Sequence, residues 1–345
     1  VGGMGVLVFI MSFLSITGGS TINLMKAESP GPSVSRLVPH VKDTAKILYK
    51  IYIFITVTEI ILLCAFGMPL FDSLTLSFGT VGTGGFGILN SSIADYSPAL
   101  QIIITVFMIL SGVNYVAYFY LTTKQIKEIF HVEEIRVYFG VILASSIFIA
   151  FNIRSLYPTL GECFRHAFFQ VGSIITTTGY ATTDFDLWPE TSKTILVLLM
   201  FIGACAGSTG GGLKISRLLI LCKSIPKQLS LVIHPREIKV IKMDGKAIEH
   251  QVMRATNVYL AIYFFIILGS TLFVSVDNFD FTTNFTAVVS ALNNIGPGLA
   301  GVGPTRNFGA FSVFSKFVLM FDMLAGRLEL YPLLILFMPS LWRRK

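Results

Sequence analysis

Long apolar runs alternate with polar connections along the whole chain. Crossing a bilayer core takes roughly 20 apolar residues. Runs of that order lie near 4–18, 47–67, 100–121, 136–153, 193–222, 256–276 and 312–338. The stretch from Val258 to Val276 is the cleanest, the fifth run is interrupted by glycines, and the last carries Lys316, Asp322, Arg327 and Glu329. Three shorter apolar segments, 71–81, 161–175 and 281–293, each precede a glycine-rich turn. At about 1.5 Å per residue, a helix of 10–12 residues reaches roughly halfway through the hydrocarbon. Each unit therefore reads helix, half-helix, loop, helix.

Composition agrees with a lipid solvent. Of 345 residues, 53% are hydrophobic and 13% charged, against about 25% charged in a soluble domain. The first run has no basic leader and no plausible cleavage site, so it is read as a span rather than a signal peptide. The chain begins at Val1 inside an apolar run, and an N-terminally incomplete sequence is expected. Cys64, Cys163, Cys205 and Cys222 are scattered without metal-ligand spacing and are read as apolar thiols.

The charges give an orientation. Of 26 Lys and Arg residues, 20 fall in 21–50, 123–136, 214–254 and the tail Arg343, Arg344, Lys345. The alternate connections hold only Arg154, Arg165, Lys193 and Arg306, together with Asp72, Asp95, Glu162, Asp184, Asp186, Glu190, Asp277 and Asp280. This is the positive-inside pattern. It places the basic connections and the C-terminus in the cytoplasm and the acidic, glycine-rich loops outside, where they would concentrate cations. Ordinary solvated loops would explain the charges but not their alternation.

The three outward loops align on one glycine. They contain Thr83-Gly84-Gly85-Phe86, Thr176-Thr177-Thr178-Gly179-Tyr180 and Asn294-Ile295-Gly296-Pro297. All three units place the loop on the same side, a parallel repeat. Irregular backbone at membrane depth is tolerated only where protein buries it or water bathes it. Several such loops on one axis make a pore. Half-helix C-termini pointing inward favour a cation, and loop carbonyls can replace the hydration shell of K⁺. Glycine supplies the positive φ this requires.

These loops resemble the selectivity-filter segments of the Trk/Ktr/HKT superfamily of cation transporters. Thr83 to Phe86 resembles its second filter, Thr176 to Tyr180 its third, and Asn294 to Gly298 its fourth. Val1-Gly2-Gly3-Met4-Gly5 resembles the opening of the inner helix that ends the first repeat. The resemblance implies an all-α integral membrane fold of helix–pore-loop–helix units with pseudo-fourfold symmetry around one cation pore. It makes Gly85, Gly179 and Gly296 three of four filter glycines. K⁺ is then held at the carbonyls of Thr83, Gly84, Thr177, Thr178, Asn294 and Ile295. It also implies a homodimer, each subunit with its own pore, in a bacterial inner membrane.

The fifth run contains Gly207-Ser208-Thr209-Gly210-Gly211-Gly212. Each glycine costs a helix about 1 kcal/mol against Ala, and Ser208 and Thr209 can satisfy the freed backbone. The segment resembles the family's third-repeat inner helix, whose middle forms an intramembrane loop below the filter, and this implies a gate at 207–212. A kink for packing is the alternative. Arg327 lies mid-span, where a charge is costly unless paired or wet. By resemblance it faces the pore as an electrostatic barrier; otherwise it pairs with Asp322 or Glu329. Glu59, also mid-span, has no evident partner.

The resulting organisation is an inner helix at 1–20, a cytoplasmic connection at 21–46 and a second repeat at 47–122. A third repeat at 136–223, a basic cytoplasmic loop at 224–254 and a fourth repeat with a short tail at 255–345 follow. The basic segment 214–254, with Lys214, Arg217, Lys223, Lys242 and Lys246 among others, attracts anionic lipid. By resemblance it meets a cytoplasmic nucleotide-binding regulatory subunit. Gly82-x-Gly84-x-x-Gly87 and Gly296-x-Gly298-x-x-Gly301 match a dinucleotide fingerprint but sit in no βαβ unit. The histidines form no cluster, and no nucleophile–base arrangement, covalent cofactor or nucleic-acid site is read. The expected function is K⁺ uptake. A coupled H⁺ or Na⁺ symporter with a midplane site, or an Na⁺-permeable member of the same family, is the alternative.

Overall fold

The computed structural model of the chain describes residues 41–236, 240–327 and 330–336. The 4–18 run, the Val1–Gly5 segment, Glu329 and the basic tail lie outside them. The helices, in order, are α1 (Val41–Ala65), α2 (Leu70–Val81), α3 (Pro98–Ser111), α4 (Tyr115–Thr122), α5 (Ile126–His131), α6 (Glu133–Asn152), α7 (Leu160–Ile175) and α8 (Glu190–Ile202). Then come α9 (Ile215–Ile233), a hairpin of β1 (Lys242–Met243) and β2 (Lys246–Ala247), α10 (His250–Val274), α11 (Phe281–Leu292), α12 (Val313–Arg327) and α13 (Leu330–Leu336).

Among the described residues, three helices are long and apolar enough to cross a membrane: Ile47–Ala65, Glu133–Asn152 and the stretch His250–Asp277. Their outer faces stay apolar and exposed, as at Phe54 and Phe265, which suits lipid contact. The short helices α2, α7 and α11 occupy the three segments read as half-helices, and each packs on its preceding long helix, α1, α6 or α10. Local chemistry sets their starts. Thr159 accepts from the Glu162 amide ahead of α7, and Asp280 accepts from the Thr283 amide ahead of α11, as N-caps do.

Two runs differ from straight spans. The run at 100–121 is broken into α3 and α4, which meet at 93°. Gly112 ends α3, and the Asn114 side chain caps α4 by accepting from the Val116 amide at 2.9 Å. The run at 193–222 is broken across 203–214, and α9 continues to Ile233. The stretch read as a basic loop is therefore helical up to residue 233, and Lys214 and Arg217 are buried rather than free for lipid.

Candidate functional site

The three short helices end in one repeated set of hydrogen bonds. The amides of Gly82, Thr176 and Asn293 donate four residues back, each at 3.1 Å. Those of Thr83, Thr177 and Asn294 donate to Thr80, Ile174 and Ala291 at 3.0–3.1 Å. Those of Gly84, Thr178 and Ile295 donate to Gly79, Ser173 and Ser290 at 2.7–3.0 Å. This is a Schellman cap, which needs a left-handed residue just past the helix. Thr83, Thr177 and Asn294 take it at φ 49°, 58° and 56°, and two residues on Gly85, Gly179 and Gly296 are left-handed again.

The loops lie edge to edge in chain order. A Cβ on Gly85 would sit 1.7 Å from the Thr178 carbonyl oxygen, and one on Gly179 would sit 1.8 Å from that of Ile295. Gly296 has open space at the equivalent position among the described residues. The turned backbone leaves carbonyls without donors. Among the described residues, no hydrogen bond reaches the carbonyls of Thr83, Gly84, Thr177, Thr178, Asn294 or Ile295. Thr83, Thr177, Thr178 and Ile295 are nevertheless buried, and buried carbonyls rarely go unpaired.

The remaining residues of these segments brace the loops. The Ser173 hydroxyl donates to the Tyr180 carbonyl at 2.6 Å, and the Tyr180 hydroxyl donates to the carbonyls of Leu76 and Phe86 in the neighbouring unit. The Thr176 and Thr178 hydroxyls meet at 2.8 Å. Asn294 donates from its side chain to the Met323 carbonyl on α12, while Phe86 is exposed and Pro297 packs near Gly179.

The broken segment 203–214 lies against the same helix ends. The Thr209 carbonyl accepts from the Thr83 hydroxyl at 2.8 Å and from Arg327 at 3.1 Å. The Gly211 amide donates to Thr177 Oγ1 at 2.6 Å. Gly210 abuts the Thr176 carbonyl and Gly211 that of Asn293, each closely enough that a Cβ would clash. Gly207 lies beside Asn114, Gly212 beside Gly203, and the Ser208 hydroxyl donates to the Cys205 carbonyl. One loop thus touches all three turns. Asp322 is buried and accepts from Ser270 at 2.7 Å.

Sequence reading missed two residues here. Lys214, assigned to a basic loop, is fully buried and donates to the Gly210 carbonyl. Glu134, 3% exposed, accepts from the amides of Ala206 and Ser216. An acid at the start of an apolar run was the available signal. On the acidic side, burial and the Asp72 carboxylate push the Tyr96 phenol up to about 12. The Thr283 hydroxyl and amide hold Asp280 below the usual carboxylate range. Among the described residues no group of three or more His, Cys, Asp or Glu side chains is placed to hold a metal ion.

Comparison with known proteins gives concordant matches. A family model described as TrkH, cation transport protein, matches residues 1–344. The Trk system potassium uptake protein TrkH of Salmonella typhimurium is 35% identical over 347 residues, covering 99% of this chain and 71% of the relative. TrkG of Escherichia coli, named likewise, is 32% identical, covering 99% and 71%. The crystal structure of the potassium transporter TrkH from Vibrio parahaemolyticus superposes with a TM-score of 0.83 at 31% identity, covering 99% of this chain and 70% of that one.

Proposed function

We propose, for a chain that belongs to the TrkH family of cation transport proteins, that it mediates potassium uptake across a membrane through a pore lined by backbone carbonyls. The observation that carries this reading is the set of six carbonyls on three adjoining loops that no donor among the described residues reaches, four of them from buried residues. Such oxygens suit a dehydrated cation. The C-terminal ends of α2, α7 and α11 add partial negative charge beside them. The relatives' names, Trk system potassium uptake protein, support potassium as the ion.

Loop 207–212 is the gate of this pore. It lies against the ends of all three short helices, and Arg327 reaches its tip. The charge asymmetry of the connections supports filter loops outside and basic segments in the cytoplasm of a bacterial cell. The family resemblance supports a homodimer and a nucleotide-binding regulatory subunit at the basic face.

The test is Rb⁺ and K⁺ flux against Na⁺ in liposomes containing the native-length protein. Flux selective for K⁺ and Rb⁺, lost in Gly179→Asp and raised by deleting 207–212, is expected. Folded protein that passes no cation, alone or with its regulatory subunit, would overturn the pore. Unchanged flux in a well-folded deletion would overturn the gate.

A further inference from the structure

The loop 203–214 has a tip and a neck, and different groups hold them. The neck is held by a single carboxylate oxygen. Glu134 Oε1, in the first turn of α6, accepts from the Ala206 amide at 2.7 Å and from the Ser216 amide at 3.0 Å. Those two amides lie on either side of the tip. A backbone bond from the Ile215 amide to the Ala204 carbonyl, 3.2 Å, closes the neck between them. Ala206, Ser216 and Glu134 are all buried, so neither amide has water as a substitute.

The preceding residue faces the other way. Glu133 accepts from Lys223 on α9, and Lys223 also donates to the Lys242 carbonyl of the hairpin at 2.8 Å. The Glu133 amide donates to Asp244 Oδ1 at 2.7 Å. Asp244 and Gly245 form the two-residue hairpin turn, with φ 52° and 76°, the backbone that an Asp-Gly pair favours. The hairpin is anchored below by Ile241, which packs with Ile220 and Met253. Asp244 itself is exposed. Consecutive residues at one helix N-terminus therefore bind the exposed hairpin on one side and the buried loop neck on the other.

We propose that Glu134 is a positioning residue that sets the loop's neck and transmits displacement of the 242–247 hairpin to it through the first turn of α6. This rests on the reading of 207–212 as the gate. A ligand or subunit engaging the hairpin shifts Asp244 and Lys223, and the carboxylate of Glu134 moves with Glu133.

The experiment is a mutant cycle in the native-length protein, read as Rb⁺ flux in liposomes with the Rb⁺/Na⁺ ratio measured in parallel. Glu134→Ala is expected to raise flux about fivefold, the low end of site-to-site coupling, with the ratio unchanged. Glu134→Gln keeps an acceptor oxygen and stays near native. Asp244→Ala is expected to move flux in the wild-type background and to have no effect when combined with Glu134→Ala or with deletion of 207–212. A merely structural role for Glu134 would lower folded protein and leave the two sites additive. If deletion of 207–212 raises flux while Glu134→Ala does not, this inference falls and the gate stands. If the deletion leaves flux unchanged, the gate reading falls and takes this inference with it. Should Glu134→Ala fail to fold, the Asp244→Ala and deletion pair decides alone, and additivity overturns the coupling.

Discussion

The guanidinium of Arg327 donates to the carbonyl of Thr209 at 3.1 Å, joining the end of α12 to the tip of the broken segment across 118 residues of sequence. The same carbonyl accepts the hydroxyl of Thr83 at 2.8 Å. A fixed positive charge and a residue of the first loop therefore share one acceptor. Asp322, one of the partners that sequence reading offers Arg327, is instead engaged by Ser270.

The proposed pore makes Arg327 an electrostatic barrier, and that role has a measurable size. A unit charge about 8 Å from a passing cation, at an effective dielectric near 20, opposes it by roughly 2 kcal/mol. Arg327→Ala is expected to raise Rb⁺ flux about thirtyfold, since each 1.4 kcal/mol or so is a factor of ten, and Arg327→Lys to keep it near native. Loss of folded protein without a rise in flux would assign the arginine a structural role instead.

Gly179 tolerates no side chain. Its φ is +85°, and a Cβ would lie 1.8 Å from the Ile295 carbonyl oxygen. The left-handed backbone alone costs alanine about 1–2 kcal/mol, and the contact pushes aside the Ile295 carbonyl, one of those proposed to line the pore. Gly179→Ala is expected to lose K⁺ preference over Na⁺ in liposome flux. Gly140→Ala, on an open face of α6 with nothing within 4 Å, should leave both flux and selectivity unchanged.

Tyr180 ties two units together through its hydroxyl. Tyr180→Phe keeps the buried ring and removes the one hydroxyl donor that the Leu76 and Phe86 carbonyls share. Losing such a bond costs about 1 kcal/mol. The melting temperature should fall slightly, and the Rb⁺/Na⁺ ratio should drop because the second loop loses its brace. An unchanged ratio would show that the bond serves packing only.

Asp280 caps α11 through the Thr283 amide and hydroxyl, and its carboxyl titrates below the usual range. A carboxyl lowered in the folded state contributes stability that is complete above its unfolded value, near 3.9, and is lost as pH falls through the lowered folded value. Asp280→Ala should destabilise by about 1 kcal/mol at pH 7, as a lost N-cap does. Thermal melts of the two proteins should converge in acid.

Much of this protein is local and therefore legible in the chain itself. Apolar runs follow from the energetics of a lipid solvent, and α2, α7 and α11 end where sequence places Thr83, Thr177 and Asn294 before a glycine. The resemblance legible by eye lies in those same short segments, although the family match runs over residues 1–344. The 93° bend after Ser111 had a local signal too, Gly112 followed by the capping Asn114, but an unbroken hydrophobic count hid it.

What the chain alone determined, then, is the set of elements and the backbone turns, because hydropathy and φ preferences act within a few residues. Only the tertiary structure decided which groups meet. Thr83 and Arg327 on the Thr209 carbonyl, Thr177 on the Gly211 amide and Glu134 on the two sides of the loop neck lie 34 to 126 residues apart. Lys214 read as a surface charge because a lysine's ordinary fate is solvation, and only the packed fold placed carbonyl oxygen, rather than water, around it.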